Sequence, residues 1–368
     1  MLALAAPNAT AATREVDLLA TVTLGDESGL QMGGPVLSPN GRTLYVAERD
    51  TVDGTRQNVR VVDTGTNRTT AVLRVGAQYQ SIVDLVLSPD GSRLYALQPG
   101  GPNASGQVNV IDTARAAVVA VILPPTTMVS TSNAGAIEHE ALSPDGRRLY
   151  VSQIGYVTTP GSPDPGSVYV IDTATNTIVD RFGARTWIPD WLTIAPNGRD
   201  LYLAAEAGAL NGTVIHHFDA SVSPPRFVGD VAMAASESVH QLVMNSTGTR
   251  LYAIGDYQSS VRVIDTAKDA VVASIAVPGR GYQGVLALSH DDRRLYVANA
   301  APDAYENPTV VVIDTATATV GDTLIGFDLE SHLALVVGPG DHTLYLAGPT
   351  YTEEGKPLPP AALQVARV

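Results

Sequence analysis

The sequence predicts an all-β fold, a seven-bladed β-propeller built from four-stranded blades. Three observations predict it. A ten-residue phrase recurs seven times, a second strand-like phrase follows six of the copies, and the last copy runs out of chain one strand short. The first phrase stands as LSPNGRTLYV at 37–46, LSPDGSRLYA at 87–96 and LSPDGRRLYV at 142–151, with looser copies at 194–203, 244–253, 288–297 and 337–346. Its tyrosines are Tyr45, Tyr95, Tyr150, Tyr202, Tyr252, Tyr296 and Tyr345. They are spaced by roughly fifty residues, the period of a propeller blade.

Each strand has its own signal. Strand A ends at Ser-Pro-Asp-Gly, where Pro presets φ and Gly takes positive φ, so the chain turns back on itself. Strand B carries Leu-Tyr-Val. Strand C carries VRVVDT (59–64), VNVIDT (108–113), VYVIDT (168–173), VIHHFDA (214–220), VRVIDT (261–266) or VVVIDT (310–315). Its Asp is placed to accept backbone N–H bonds in the C–D turn, a structural role and not a calcium loop. Strand D is a short apolar run such as TIVDRF. The seventh unit has no strand D of its own after LQVARV at 363–368, whereas VDLLATVTL at 16–24 is left over at the other end. Pairing the N-terminal strand with the C-terminal strand in the last blade closes the ring and removes its free edges. Residues 14–368 therefore read as one domain, although 368 residues would otherwise suggest two or three.

Composition sets outer limits on function. There is no cysteine, which excludes disulfides, thiolate metal sites and c-type haem attachment. The net charge of -14 argues against nucleic acid as partner. No apolar run is long enough for a membrane span. Residues 1–13 read as a disordered leader or signal-peptide remnant, which tilts the expected location slightly toward secreted or extracytoplasmic over cytoplasmic. A monomer is expected.

The Ser-Pro-Asp-Gly, Leu-Tyr-Val and Val-Ile-Asp-Thr phrases together resemble the YVTN-repeat family of seven-bladed propellers, with lactonase-like and surface-layer-like members. The resemblance covers nearly the whole chain. It implies a WD40-like propeller but spans binding proteins and enzymes alike.

The A–B and C–D turns are short and repetitive and define a bottom face. The D–A and B–C loops are long and unlike one another, so binding is expected at the top face and the channel mouth. Counting back ten residues from each tyrosine gives Pro35, Leu85, Glu140, Leu192, Leu242, Leu286 and Leu335. Glu140 is a carboxylate in a leucine register, flanked by Glu138 and His139. It needs a cation, a hydrogen-bond network or a raised pKa, and an inter-blade salt bridge to an arginine is the structural alternative. His139, His240 and His332 fall 11, 12 and 13 residues before their tyrosines. With Glu140 they form the candidate catalytic group, and the three histidines are the candidate ligands of a divalent metal; no cofactor is otherwise implied. Trp187, Asp190, Trp191, Tyr79, Tyr257, Tyr282, Gln283 and Glu138 are the candidate ligand-binding residues, since aromatic rings with a polar handle suit recognition. His216 and His217 read as packing residues, and His290 and His342 as solvent-facing.

Two functions follow. The first is a small organic ligand or protein segment bound at the top face. The second is a lactonase-, lyase- or cyclase-like enzyme using Glu140 with the histidines.

Overall fold

The computed structural model describes residues 12–24, 34–49, 57–75, 81–100, 106–125, 136–155, 166–184, 188–206, 212–233, 238–255, 260–278, 284–299, 308–329, 334–348 and 361–368. These form seven antiparallel sheets arranged as the blades of a propeller. Blade 3 is representative, with strands A to D at Ile137–Leu142, Arg148–Gln153, Ser167–Asp172 and Thr177–Gly183. The strand A segments neighbour one another around the channel. Blade 7 is closed as the sequence predicts: Asp17–Thr23 pairs antiparallel with Ala362–Arg367, next to Thr343–Gly348 and Ala334–Val337.

The N-terminal segment does more than close blade 7. Thr13–Glu15 pairs parallel with Thr319–Ile325 and adds a fifth strand to the outer edge of blade 6. Consecutive residues therefore stitch two neighbouring blades.

The core lies in the seams between blades, not inside any one of them. Leu85 and Leu94 of blade 2, for example, pack with Tyr45, Val59 and Leu73 of blade 1. The repeat tyrosines are buried there. The strand C aspartates are structural, as the turn chemistry requires. Asp63 accepts the Thr66 N–H at 2.8 Å, and Asp314 accepts that of Thr317 at 2.8 Å. Arg93 and Arg250 add ion pairs to Asp112 and Asp265 at 2.9 and 3.0 Å.

On the bottom face each A–B turn leans on the turn of the preceding blade. Gly41 has φ +69, and a Cβ there would lie 2.3 Å from Cγ of Pro339 in blade 7. Gly146 likewise faces Pro89, with 3.0 Å available. Blades 5 and 6 lack the proline, holding Ser246 and His290 instead, and both therefore have a backbone N–H to satisfy. In each case the next blade has Asp where the glycine would be, also at positive φ (Asp292 at 61°, Asp341 at 60°). Asp292 accepts the Ser246 N–H and Asp341 the His290 N–H. A proline–glycine contact is thus exchanged for a hydrogen bond.

Candidate functional site

Three successive registers of strand A build the channel wall. The tenth residue before the tyrosine points into the seam with the preceding blade. Leu85, Leu192, Leu242, Leu286 and Leu335 are all buried there. Glu140 takes the same place at 1% exposure, in the seam between blades 2 and 3.

The eleventh residues are Gly34, Asp84, His139, Trp191, Gln241, Val285 and Ala334. In blades 2 to 5 this side chain is polar and reaches the backbone of the next blade. Asp84 Oδ2 accepts the Glu140 N–H at 2.9 Å. His139 Nδ1 accepts the Leu192 N–H at 3.5 Å. Trp191 Nε1 donates to Leu242 O at 3.1 Å. Gln241 brackets Leu286, accepting its N–H at 2.6 Å and donating to its carbonyl at 3.2 Å. Strand A has no fifth strand on its inner edge, so these side chains supply the bonds that a neighbouring strand would otherwise make. The belt ends where Val285, Ala334 and Gly34 have no polar group.

Between blades 2, 3 and 4 the belt becomes a titratable cluster. His139 Nε2 lies 3.2 Å from Asp84 Oδ2 and the imidazole packs against Trp191 at a tilt of 38°, with centroids 3.8 Å apart. Because Nδ1 accepts from Leu192, Nε2 carries the proton and points it at Asp84. Burial pulls the His139 pKa down, against the opposing charge of Asp84, so the ring is neutral. Burial raises the Asp84 pKa, opposed by His139 and by the N–H groups of Glu140 and Leu85. Burial and the nearby Asp84 push Glu140 well above the usual carboxylate range. Both Glu140 carboxyl oxygens are without a hydrogen-bond partner among the described residues. No arginine reaches it, so the inter-blade salt bridge weighed above is not formed among these residues.

Glu138 stands one register higher, half-buried, and burial alone pushes its carboxyl up to about 7. Asp190 holds the same register in blade 4 and His240 in blade 5. His139, Asp190 and Trp191 lie inside their A strands and not ahead of them, because strand A starts earlier in blades 3 and 4. His240 is apart from this cluster. Its Nε2 donates to Gly284 O at 2.8 Å, tying blade 5 to blade 6. The structure thus brings together His139, Glu140 and Trp191 with Asp84, leaves Glu138 beside them along the same strand, and commits His240 to another seam. Tyr79, Trp187, Tyr257, Tyr282, Gln283 and His332 lie outside the described residues. Among the described residues no group of three metal-ligating side chains is formed.

The residue that sequence reasoning missed is Asp84. Its signal was present, since it occupies in blade 2 the register that His139 occupies in blade 3. His216 and His217 are buried as expected, but bonded to carboxylates: Asp230 at 2.5 Å for His216, and Asp269 and Asp200 at 2.8 and 3.2 Å for His217. His290 is exposed yet held by Asp341.

No helix of the described residues is long and apolar enough to cross a membrane. No family model matches the chain, and no curated protein does. Solved structures do. A chain of the mitotic checkpoint complex is 14% identical, covers 99% of both chains and superposes with a TM-score of 0.68. A chain of Kuenenia stuttgartiensis hydrazine synthase is 17% identical over 88% of this chain and 94% of its own, with a TM-score of 0.65. At these identities the likeness establishes one thing, that the chain is a seven-bladed β-propeller.

Proposed function

We propose that this chain is a binding propeller of the YVTN-repeat kind, taking a small organic ligand or a protein segment at the top of its channel beside blades 2 to 4. Glu140 carries the reading. A buried carboxyl without a hydrogen bond costs on the order of 1–3 kcal/mol relative to a bonded one. The other six blades place proline or leucine at this register. A chain that gives up leucine packing for an unbonded carboxyl breaks its own local rule, and such breaks concentrate at functional sites. Asp84 adjoins it, and His139 and Trp191 follow in contact from there. The neighbour from the mitotic checkpoint complex sits in a protein assembly, which fits a protein segment as ligand.

The test is a fragment and peptide screen by thermal shift on wild type and Glu140→Leu, which restores the leucine ring. Hits that stabilise the wild type and not the variant support the reading. Hits that stabilise both equally would place binding elsewhere.

A catalytic reading draws on the burial of Glu138, which pushes its carboxyl up to about 7, where a general acid or base works best, and on the His139–Asp84 contact beside it. Glu138 and Glu140 with His139 would then turn over a lactone or a related small molecule. A lactone panel checks it: turnover by wild type that persists undiminished in Glu138→Gln removes Glu138 from the chemistry.

A further inference from the structure

We propose that the outer edge of blade 2 is a second binding site, where an extended, acidic-ended segment of a partner protein adds as a fifth strand. The site is separate from the channel mouth and does not depend on it. The chain itself displays the mode, on blade 6. There Thr13–Glu15 runs parallel to the outermost strand and pairs with Thr323, Leu324 and Ile325. Two hydrogen bonds frame the pairing. The Thr323 N–H donates to Ala12 O at 2.8 Å, and the Val16 N–H to Ile325 O at 2.9 Å. An outer edge of this propeller thus accepts a strand through backbone groups that face away from the blade.

Strand pairing carries this register from blade 6 to blade 2. Thr323 lies opposite Val311, and Val121 lies opposite Asn109, which holds in VNVIDT the place that Val311 holds in VVVIDT. Thr323 and Ile325 therefore correspond to Val121 and Leu123. Ala117–Ile122 ends its sheet, and neither the Val121 N–H nor the Leu123 carbonyl has a backbone partner beyond that sheet among the described residues. In every other blade at least one of the two side chains is charged or carries a hydroxyl: Arg74, Arg181, Asp230, Ser274, Thr323 and Thr21. Blade 2 alone presents two aliphatic side chains, Val121 at 49% exposure and Leu123 at 58%. With Val119 they leave a patch of roughly 250 Å², about the size at which exposed apolar surface marks a contact site. A standard interface takes about 800 Å² from each partner, so the patch suits a short segment and not a second folded copy.

Charge selects the partner's chemistry. The outermost strand of blade 1 adjoins that of blade 2. It carries Arg68 and Arg74 and no acidic residue, and neither arginine bonds a carboxylate among the described residues. By the same register Arg68 stands level with Ala117, and Arg74 with Leu123. The aliphatic run of blade 2 therefore lies between the levels of two unmatched positive charges, roughly 20 Å apart along the strand. The whole chain carries -14, so a second copy is repelled. A segment with aliphatic residues at alternate positions and a carboxylate near each end matches both the edge and the arginines.

The experiment is fluorescence polarisation of the full chain with three labelled synthetic peptides. They are Glu-Val-Thr-Val-Thr-Val-Glu, the same peptide with Lys at both ends, and the same with Pro for its central Val. The proposal expects the acidic-ended peptide to bind at least about tenfold tighter than the Lys-ended one. The Pro-containing peptide lacks an N–H for the edge and should not bind. Val121→Lys should weaken binding at least about tenfold, and Arg74→Glu at least about threefold. Thr21→Lys, the equivalent change on blade 7, should leave it unchanged. All three side chains are exposed, so the variants should fold, and their unfolding transitions are compared. Hydrogen exchange of the Val121 amide should slow when the peptide is added. Equal binding of the acidic-ended and Lys-ended peptides, undiminished binding in Val121→Lys, or no binding of any peptide overturns the proposal. Self-association in sedimentation that Val121→Lys abolishes would overturn it in favour of a second copy.

Discussion

Asp292 and Ser246, in neighbouring blades, replace a contact with a bond. Both carboxylate oxygens of Asp292 lie 3.0 Å from the Ser246 N–H, and one also takes the Ser246 hydroxyl. Apart from the His290–Asp341 seam, proline stands at the Ser246 position and glycine at the Asp292 position, as in Pro89 and Gly146. The pair works as a unit, because proline has no N–H to give and glycine no side chain to receive it. Ser246→Pro and Asp292→Gly should each destabilise the protein. The double variant recovers the Pro–Gly contact, with a coupling energy of about 0.5–1.5 kcal/mol. Chemical denaturation of the four proteins measures it, and additive effects would refute the exchange.

Glu140→Leu should stabilise the fold by about 1–3 kcal/mol, since it removes an unbonded buried carboxyl and refills a leucine position. A higher denaturation midpoint with loss of ligand response is the expected pair of results. A lower midpoint would show that Glu140 makes bonds essential to the fold.

The pH profile of stability has a sign fixed by the two glutamates. Both are raised above their unfolded value, Glu138 to about 7. A raised acid contributes nothing adverse while it stays protonated in both states, below the ordinary glutamate range. As pH climbs through that range the unfolded chain ionises first, so stability falls until the folded pKa is passed. The wild-type melting temperature should therefore decline between about pH 4.5 and 7 from this source. Glu138→Gln should flatten that decline, and an unchanged slope would argue against a desolvated Glu138.

The outer strand of blade 2, Ala117–Ile122, carries no charge and exposes Val119 at 45% and Val121 at 49%. Most other outer strands carry an Asp or Arg, and that of blade 6 is covered by Thr13–Glu15. Uncharged apolar edges are templates for unwanted pairing. Val121→Lys should reduce light-scattering aggregation on heating with little change in melting temperature. Equal aggregation would place the sticky surface elsewhere.

The sequence by itself determined the architecture, because blade chemistry is local and repeated. Pro-Asp-Gly turns, Asp-capped C–D turns and the missing last strand are each read within a few residues. Seven copies then reinforce one answer, including the closure of blade 7 by Asp17–Thr23. The same register comparison singled out Glu140, which is indeed buried where its counterparts are leucines. Tertiary structure alone decided which side chains meet. Asp84 and His139 are 55 residues apart and touch because side chains at that register reach across a seam to the next blade. His240 has the same residue type as His139 but stands one register higher, and it bonds Gly284 in another seam. Strand pairing follows from local periodicity. Partnership across a seam depends on the relative placement of two separately folded sheets, which no single repeat encodes.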